Sequence, residues 1–256
     1  MLKKFLGSLF LFMLIPTLCF GGIALNGDAD LITCGNVNTP DTEVTVAVWV
    51  NLTTLDRGSY FTKSYGPSSP YFSYGIWANQ SRTPAWVVGV TGFNSVGAGY
   101  ALTDGNWFLL VGRYSSGVDQ NIRIYDTDGV LQADASAGTA PTGSIQYSAE
   151  GLLLGAERGG SGNYLGFGAS DAGVWSSYLT DAEVDIIAKS KVKGIFLQIS
   201  PSTLAAYYRF DEFADGTALN TDADGYKDLS GNGFNCQGID GDGDSLNTSE
   251  KVLTYP

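Results

Sequence analysis

The 256-residue chain contains no histidine. That absence removes Ser-His-Asp triads, histidine-activated cysteines and histidine metal centres in one step. Positive charge is scarce as well: 14 Lys and Arg stand against 26 Asp and Glu, for a formal charge of -12. Nucleic acid and anionic membrane surfaces attract basic patches, so neither is an expected partner. Helical periodicity is nearly missing, and so are fixed-period repeats and the proline-rich or glycine/serine linkers that divide a chain into domains.

One long apolar run is present. Phe5 to Leu18 follows Lys3 and Lys4, is broken by Pro16, and leads to the small residues Gly21 and Gly22. This is the pattern of a secretory signal peptide, and the run falls short of the ~20 apolar residues a bilayer span needs. The expectation is a signal over 1–21, a single domain over 22–256, and no membrane span after cleavage; an uncleaved anchor is the alternative. Lipidation of Cys19 is disfavoured, because bulky Leu18 stands where a lipoprotein signal has a small residue. Cys34 and Cys236 survive processing, and an even pair in an exported chain points to a disulfide, with two buried free thiols as the rival reading. The protein is expected to be secreted or held at the cell surface.

The remainder reads as many short strands. Val44–Val50, Gly58–Lys63, Tyr71–Trp77, Ala85–Val90, Trp107–Tyr114, Gln120–Tyr125, Gly151–Gly155 and Tyr164–Trp175 are rich in β-branched and aromatic residues and are bounded by Gly, Asn, Asp and Ser. Thr45 to Val50 and Asn121 to Tyr125 alternate, with one face apolar and the other mixed, as in a sheet with one buried side. Asp104-Gly105 and Asp128-Gly129 supply tight turns, the second as a hairpin. One helix is expected: Thr180 caps Asp181 to Lys191, Glu183 completes a capping box, and Val184, Ile187 and Ala188 repeat at helical spacing.

The succession of these segments resembles the laminin-G-like, concanavalin-A-like lectin/glucanase jelly rolls. Ala24 to Leu31 is similar to that family's opening strand and turn. Val44 to Val50 is similar to its apolar strand ending in a tryptophan, and Asp104 to Val111 to the segment in which a Trp enters a central strand. Ile124 to Gly129 resembles the hairpin that follows, and Gly173 to Val184 the strand, turn and short helix that close the domain. The resemblance implies an all-β antiparallel jelly-roll sandwich with one short helix. One departure concerns order: Ala205 to Glu212 and Asp228 to Gly233 resemble a strand and loop that usually precede the opening strand, yet here they come last. A circularly shifted order accounts for this, since the ends of such a sandwich lie close together, and it brings Cys236 towards Cys34.

The same fold hosts glucanases with a Glu-x-Asp-x-x-Glu strand motif. Glu183-Val184-Asp185-Ile186-Ile187-Ala188 fails it, because Ala188 replaces the second glutamate and the segment reads as helix. No catalytic residue is assigned, and the chain is not expected to be an enzyme. Asn220, Asp222, Asp224, Tyr226 and Asp228 fit the first nine positions of a calcium loop, with Gly225 at the turn, but Gly231 stands where the bidentate glutamate belongs. Calcium and an ordinary solvated acidic loop both remain open there. Asp240, Asp242 and Asp244 repeat the alternation without the turn glycine and read as a solvated tail.

Tyr65, Tyr71, Trp77, Trp86 and Tyr100 are candidate aromatic faces for sugar, whereas Trp49, Trp107 and Trp175 read as core. Asn51-Leu52-Thr53, Asn79-Gln80-Ser81 and Asn247-Thr248-Ser249 fit the glycosylation pattern. The leading expectation is a binding module for glycan or another extracellular ligand, with calcium as a possible aid. The alternatives are a structural or adhesive surface protein acting through protein contacts and, behind it, a glycoside hydrolase. Oligomeric state is not legible.

Overall fold

Alternating apolar runs build two antiparallel seven-stranded sheets. The computed structural model describes residues 19–20, 22–25, 27, 30–39, 41–53, 57–66, 70–79, 81–156, 163–211, 218–219, 225–239, 246–247 and 253–254. Residues 1–18 and 21, on which the export signal is read, lie outside the described residues, as do Asn220, Asp222, Asp224 and the Asp240–Asp244 stretch.

In chain order the first strands are β1 (Cys19–Phe20), β2 (Ile23–Leu25), β3 (Leu31–Cys34), β4 (Glu43–Leu52), β5 (Gly58–Ser64) and β6 (Phe72–Ala78). Next come β7 (Pro84–Gly89), β8 (Phe93–Gly97), β9 (Trp107–Ser115), β10 (Asp119–Asp126), β11 (Leu131–Ser136) and β12 (Leu152–Leu154). The last are β13 (Phe167–Trp175), β14 (Leu204–Tyr208), β15 (Ala218–Leu219), β16 (Cys236–Ile239), β17 (Leu246–Asn247) and β18 (Leu253–Thr254). Between β13 and β14 lie helix α1 (Asp181–Lys189) and a 3-10 turn at Ile195–Gln198.

One sheet runs β11-β10-β9-β4-β13-β14, with β2 also paired to β13; the other, the front sheet, runs β16-β3-β12-β5-β6-β7-β8. Two small pairs, β1 with β18 and β15 with β17, complete the pattern.

The first sheet is buried on both faces, which differs from the one-sided burial its alternation suggests. From β4, Val44, Val46, Val48 and Val50 point into the core between the sheets. The opposite side, carrying Ala47 and Trp49, packs with Trp107, Leu109, Val111 and Trp175 beneath Val184, Ile187, Ala188 and Phe196. The helix and the 3-10 turn thus form a third layer over the mixed face. Trp49, Trp107 and Trp175 are core residues, as expected from the sequence, but they belong to this outer layer.

Helix α1 begins where the sequence places it. Thr180 Oγ1 accepts from Glu183 N and Glu183 Oε2 accepts from Thr180 N, closing the capping box. What pins the helix to the sheet is Arg113 of β9, which is 1% exposed. Its Nη1 donates to Leu179 O at 2.9 Å and to Asp181 Oδ1 at 2.7 Å, and its Nη2 donates to Asn121 Oδ1 at 2.7 Å. Tyr178 lies 4.7 Å from the guanidinium, and Arg123 makes a second ion pair to Asp181. A buried guanidinium is stable only with such complete pairing.

The two sheets interlock where Trp86 lies on Gly112: a Cβ at Gly112 would meet the Trp86 ring at 2.1 Å, so no larger residue fits there. The late part of the chain completes both sheets. Strand β14 pairs with β13 on the edge that β2 also uses, and β16 pairs with β3, with Cys236 directly opposite Cys34. A disulfide joins these cysteines across 202 residues of sequence.

The Arg113→Ala variant is expected to lose about 3 kcal/mol of unfolding free energy in a urea titration, because Asn121 and the Leu179 carbonyl lose a buried charged donor. A loss below about 1 kcal/mol contradicts the anchoring role.

Candidate functional site

In a sheet, directly paired residues share a face and successive residues alternate. Tyr74, Ile76, Trp86 and Val88 point inward to the core, so their neighbours point outward. The register therefore places Ser59, Trp77, Ala85 and Gly97 in one row on the outer face of the front sheet. Thr62, Gly75, Val87 and Ser95 form the next row, and Phe93, opposite Gly89, stands on the same face.

The exposed ring on this face is Phe93. The Phe93 ring is 6.1 Å from Phe72 and 6.5 Å from Trp77, and it is 42% exposed. Arg57 stacks on Trp77 with its guanidinium carbon 5.2 Å from the ring centroid, which holds the indole in place. Nearby, the Ser59, Thr62, Ser64 and Ser73 hydroxyls and the Trp77 indole N–H are buried and find no hydrogen-bond partner among the described residues. Each such group costs about 1–3 kcal/mol if nothing satisfies it; Ser59, Thr62, Ser64 and Ser73 are fully buried, so they lie beneath the surface and not on it.

Besides Arg57 over Trp77, two further cations lie near this face and are engaged elsewhere. Lys63 hydrogen-bonds to Asn36 Oδ1 and to the Ser148 and Glu150 carbonyls. Burial brings its amine down to about 8, against the upward pull of Glu150. Arg82 pairs with Asp104 at 2.7 Å.

The five aromatic candidates from the sequence do not form one patch. Trp77 lies on the outer face as described. Tyr65 and Tyr71 flank the β5–β6 connection, joined by a backbone bond from Tyr65 N to Tyr71 O at 2.8 Å. Tyr100 packs against the core with its ring 5.9 Å from Phe108. Trp86 is a correction: it is fully buried on Gly112, because its strand position faces inward, and it offers no surface to a ligand. Phe93 was missed. Its signal was the alternation in Phe93-Asn94-Ser95-Val96-Gly97, too small and polar to stand out as a strand.

Of the calcium-loop residues, the described pair serves the fold. Asp228 is buried; its Oδ1 accepts from Tyr207 N and Ser230 N and its Oδ2 from Phe234 N. The Tyr226 carbonyl accepts from Cys236 N, and its side chain is in the core. An ion at this loop would therefore draw on Asn220, Asp222 and Asp224. Among the described residues no group of three or more acidic, Cys or His side chains is arranged to hold a metal.

Glu183 and Asp185, the carboxylates of the failed glucanase motif, are also engaged, and so is Asp171. Partial burial acts to raise Glu183, but hydrogen bonds from Ser200 and Thr180 hold it below its usual range. Asp185 is held low by Lys189, against partial burial and with help from Tyr125. Burial raises Asp171, whose oxygens accept from Tyr207 Oη and Ser170 Oγ and tie β13 to β14.

With this geometry in hand, the sequence profile of the concanavalin A-like lectin/glucanases superfamily, in its laminin-G form, matches residues 26–185, more than half of the chain. The chain belongs to this superfamily. As a lectin/glucanase-type domain it extends beyond the profile, since β14 and β16 lie after residue 185. No curated protein matches it. Among solved structures, a Bacteroides ovatus protein for which carbohydrate binding is proposed is 16% identical, with a TM-score of 0.56. That match covers 85% of this chain but 57% of the Bacteroides protein, so the chain spans little more than half of its length. Domain 4 of AbnA, an extracellular arabinanase of Geobacillus stearothermophilus solved with arabinotriose, is also 16% identical, with a TM-score of 0.49, 65% of this chain covered and 76% of that one. At these identities the likeness concerns the fold. The disulfide suits an oxidising compartment, and no helix among the described residues is long and apolar enough to cross a membrane.

Asp228→Ala is expected to lower stability by about 2 kcal/mol by stranding three backbone N–H groups, equally in calcium and in chelator. Thermal unfolding in both buffers checks this; a loss confined to calcium-containing buffer would make Asp228 a metal ligand after all.

Proposed function

We propose that the protein is an exported, non-catalytic binding module that takes a neutral glycan, or a similarly hydroxyl-rich extracellular ligand, on the outer face of the front sheet. The observation that carries this reading is the exposed Phe93 ring, packed against the Phe72 and Trp77 rings on the front sheet. Sugar rings present apolar C–H faces to aromatic rings, which is the chemistry an exposed ring backed by two others offers.

A neutral ligand is favoured over an acidic one. The formal charge of -12 opposes a polyanion, and Lys63 and Arg82 are tied within the fold, while Arg57 is stacked on Trp77. Carbohydrate binding proposed for the Bacteroides ovatus relative supports the same reading. A non-catalytic role is supported by the absence of histidine and by the structural tasks of Asp171, Glu183 and Asp185. Secretion or surface display is supported by the leading apolar run and the disulfide. Asn220, Asp222 and Asp224, on which calcium would depend, lie outside the described residues, and the proposal does not route binding through them.

Affinity electrophoresis through gels carrying soluble glucan, xylan, mannan or arabinan is the test. At least one is expected to retard the mature protein, and Phe93→Ala and Trp77→Ala are each expected to weaken that retardation about tenfold, equivalent to ~1.4 kcal/mol, with the fold intact. No retardation by any of them, or full retardation of the Phe93→Ala variant, sinks the proposal.

A further inference from the structure

Strands β2 and β14 share one edge of β13 and leave a gap between them. The β2 pairing ends with Ile23 opposite Ala169, and the β14 pairing begins with Tyr208 opposite Ala172. Ser170 and Asp171 fall in this gap, where the register of β13 against β4 also slips. Asp171 is 8% exposed, and its hydrogen bonds among the described residues come from Tyr207 Oη and Ser170 Oγ, both neutral donors. Burial pushes its carboxyl up against those two bonds; Asp211 adds to the rise and Arg209 opposes it. Arg209 and Lys193 are themselves bonded to Asp211. Among the described residues Asp171 is therefore a buried acid with no cation in contact, which is a costly arrangement for a carboxylate.

The chain itself can supply the cation. Continuing the antiparallel register one residue past Ile23 sets Gly22 opposite Ser170 and beside Asp171. Gly22 sits tightly there: a Cβ would meet Ala169 O at 2.6 Å and Trp107 Cη2 at 3.7 Å, so a side chain would force this end of the chain off β13. Trp107 packs in the same layer as Tyr207, the residue that bonds Asp171. Gly22 is also the residue at which the export signal is read to end. Cys19 and Gly21, three residues and one residue before the Gly21–Gly22 bond, are both small, as signal cleavage requires.

We propose that export cleaves the Gly21–Gly22 bond and that the new α-ammonium of Gly22 becomes the counter-ion of buried Asp171. Hydrolysis by the export peptidase adds water across the peptide bond, leaving a carboxylate on Gly21 and on Gly22 an amine that is protonated at neutral pH. Before cleavage the same nitrogen is a neutral amide. Afterwards a positive charge enters the gap between β2 and β14 and clamps the first strand of the mature chain to β13. Processing thereby completes the fold. The inference rests on the export reading and is independent of what the front sheet binds.

The chain is expressed with its own leader in an export-competent host, and the intact mass of the secreted protein is expected to begin at Gly22. Thermal unfolding then compares it with a version carrying an extra alanine ahead of Gly22, which displaces the ammonium. The extension is expected to lower the melting temperature by about 5 °C in the wild type and by less than about 1 °C in Asp171→Asn. Dependence on pH gives a second readout that does not need the Asp171→Asn variant to fold. Pairing raises the folded-state pKa of the amine above its ordinary value of about 8, so its stabilisation is complete below about pH 8 and is lost as pH climbs through the raised value. That loss is expected in the mature chain and not in the extended one. A start at any other residue, or a retained leader, overturns the proposal. A start at Gly22 with mature and extended chains equally stable at every pH, or with the same penalty in Asp171→Asn, overturns the pairing and leaves the export reading standing.

Discussion

Arg113 is the interaction around which the rest of the molecule is arranged. A guanidinium on the mixed face of a sheet would ordinarily reach solvent; here it is sealed in by the segment that starts α1 and is satisfied by Leu179, Asp181 and Asn121. Fixing that start point lays Val184, Ile187 and Ala188 over the tryptophans of β4, β9 and β13, so the sheet becomes buried on both faces. Burial of aromatic and aliphatic area on both sides supplies the stability, while the charge network fixes where the helix sits.

That arrangement decides which surfaces are left for function. With its outer face covered, the first sheet has none to offer a ligand. The front sheet is largely buried on its outer face too, at Ser59, Thr62, Ser73 and Val87, and keeps Phe93 of β8 exposed. The two ends of the chain serve the same design: β14 and β16 fill edges beside β13 and β3, and the disulfide fixes the latter pairing.

The fold was legible because its strongest signals are local. The alternation in β4 and β10, the Gly105 and Gly129 turns at positive φ, and the Thr180–Glu183 capping box each state their own geometry. The pairing of Cys34 with Cys236 was legible from cysteine count and the shifted order together. What escaped was relational. Whether the mixed face of β4 is covered depends on a helix more than 100 residues later, and Trp86 faces inward only because of the register set by β6 and β8. Asp228 looks like a ligand in sequence, yet its oxygens are taken by backbone groups of residues that no spacing rule singles out. The binding face was half legible: Trp77 stood out as an aromatic, whereas Phe93 lies in a strand too polar to be noticed, and its value comes from the rings beside it.

The account rests most heavily on the ligand meeting the outer face of β5 to β8. Amide chemical-shift mapping of the labelled protein, titrated with whichever neutral polysaccharide the gels retain, measures this most directly. The account predicts that the shifts centre on Trp77, Val87, Phe93 and Ser95. Shifts confined to Leu131, Ile186 and Val192, or to Tyr65 and Tyr71 at the β5–β6 connection, would contradict it.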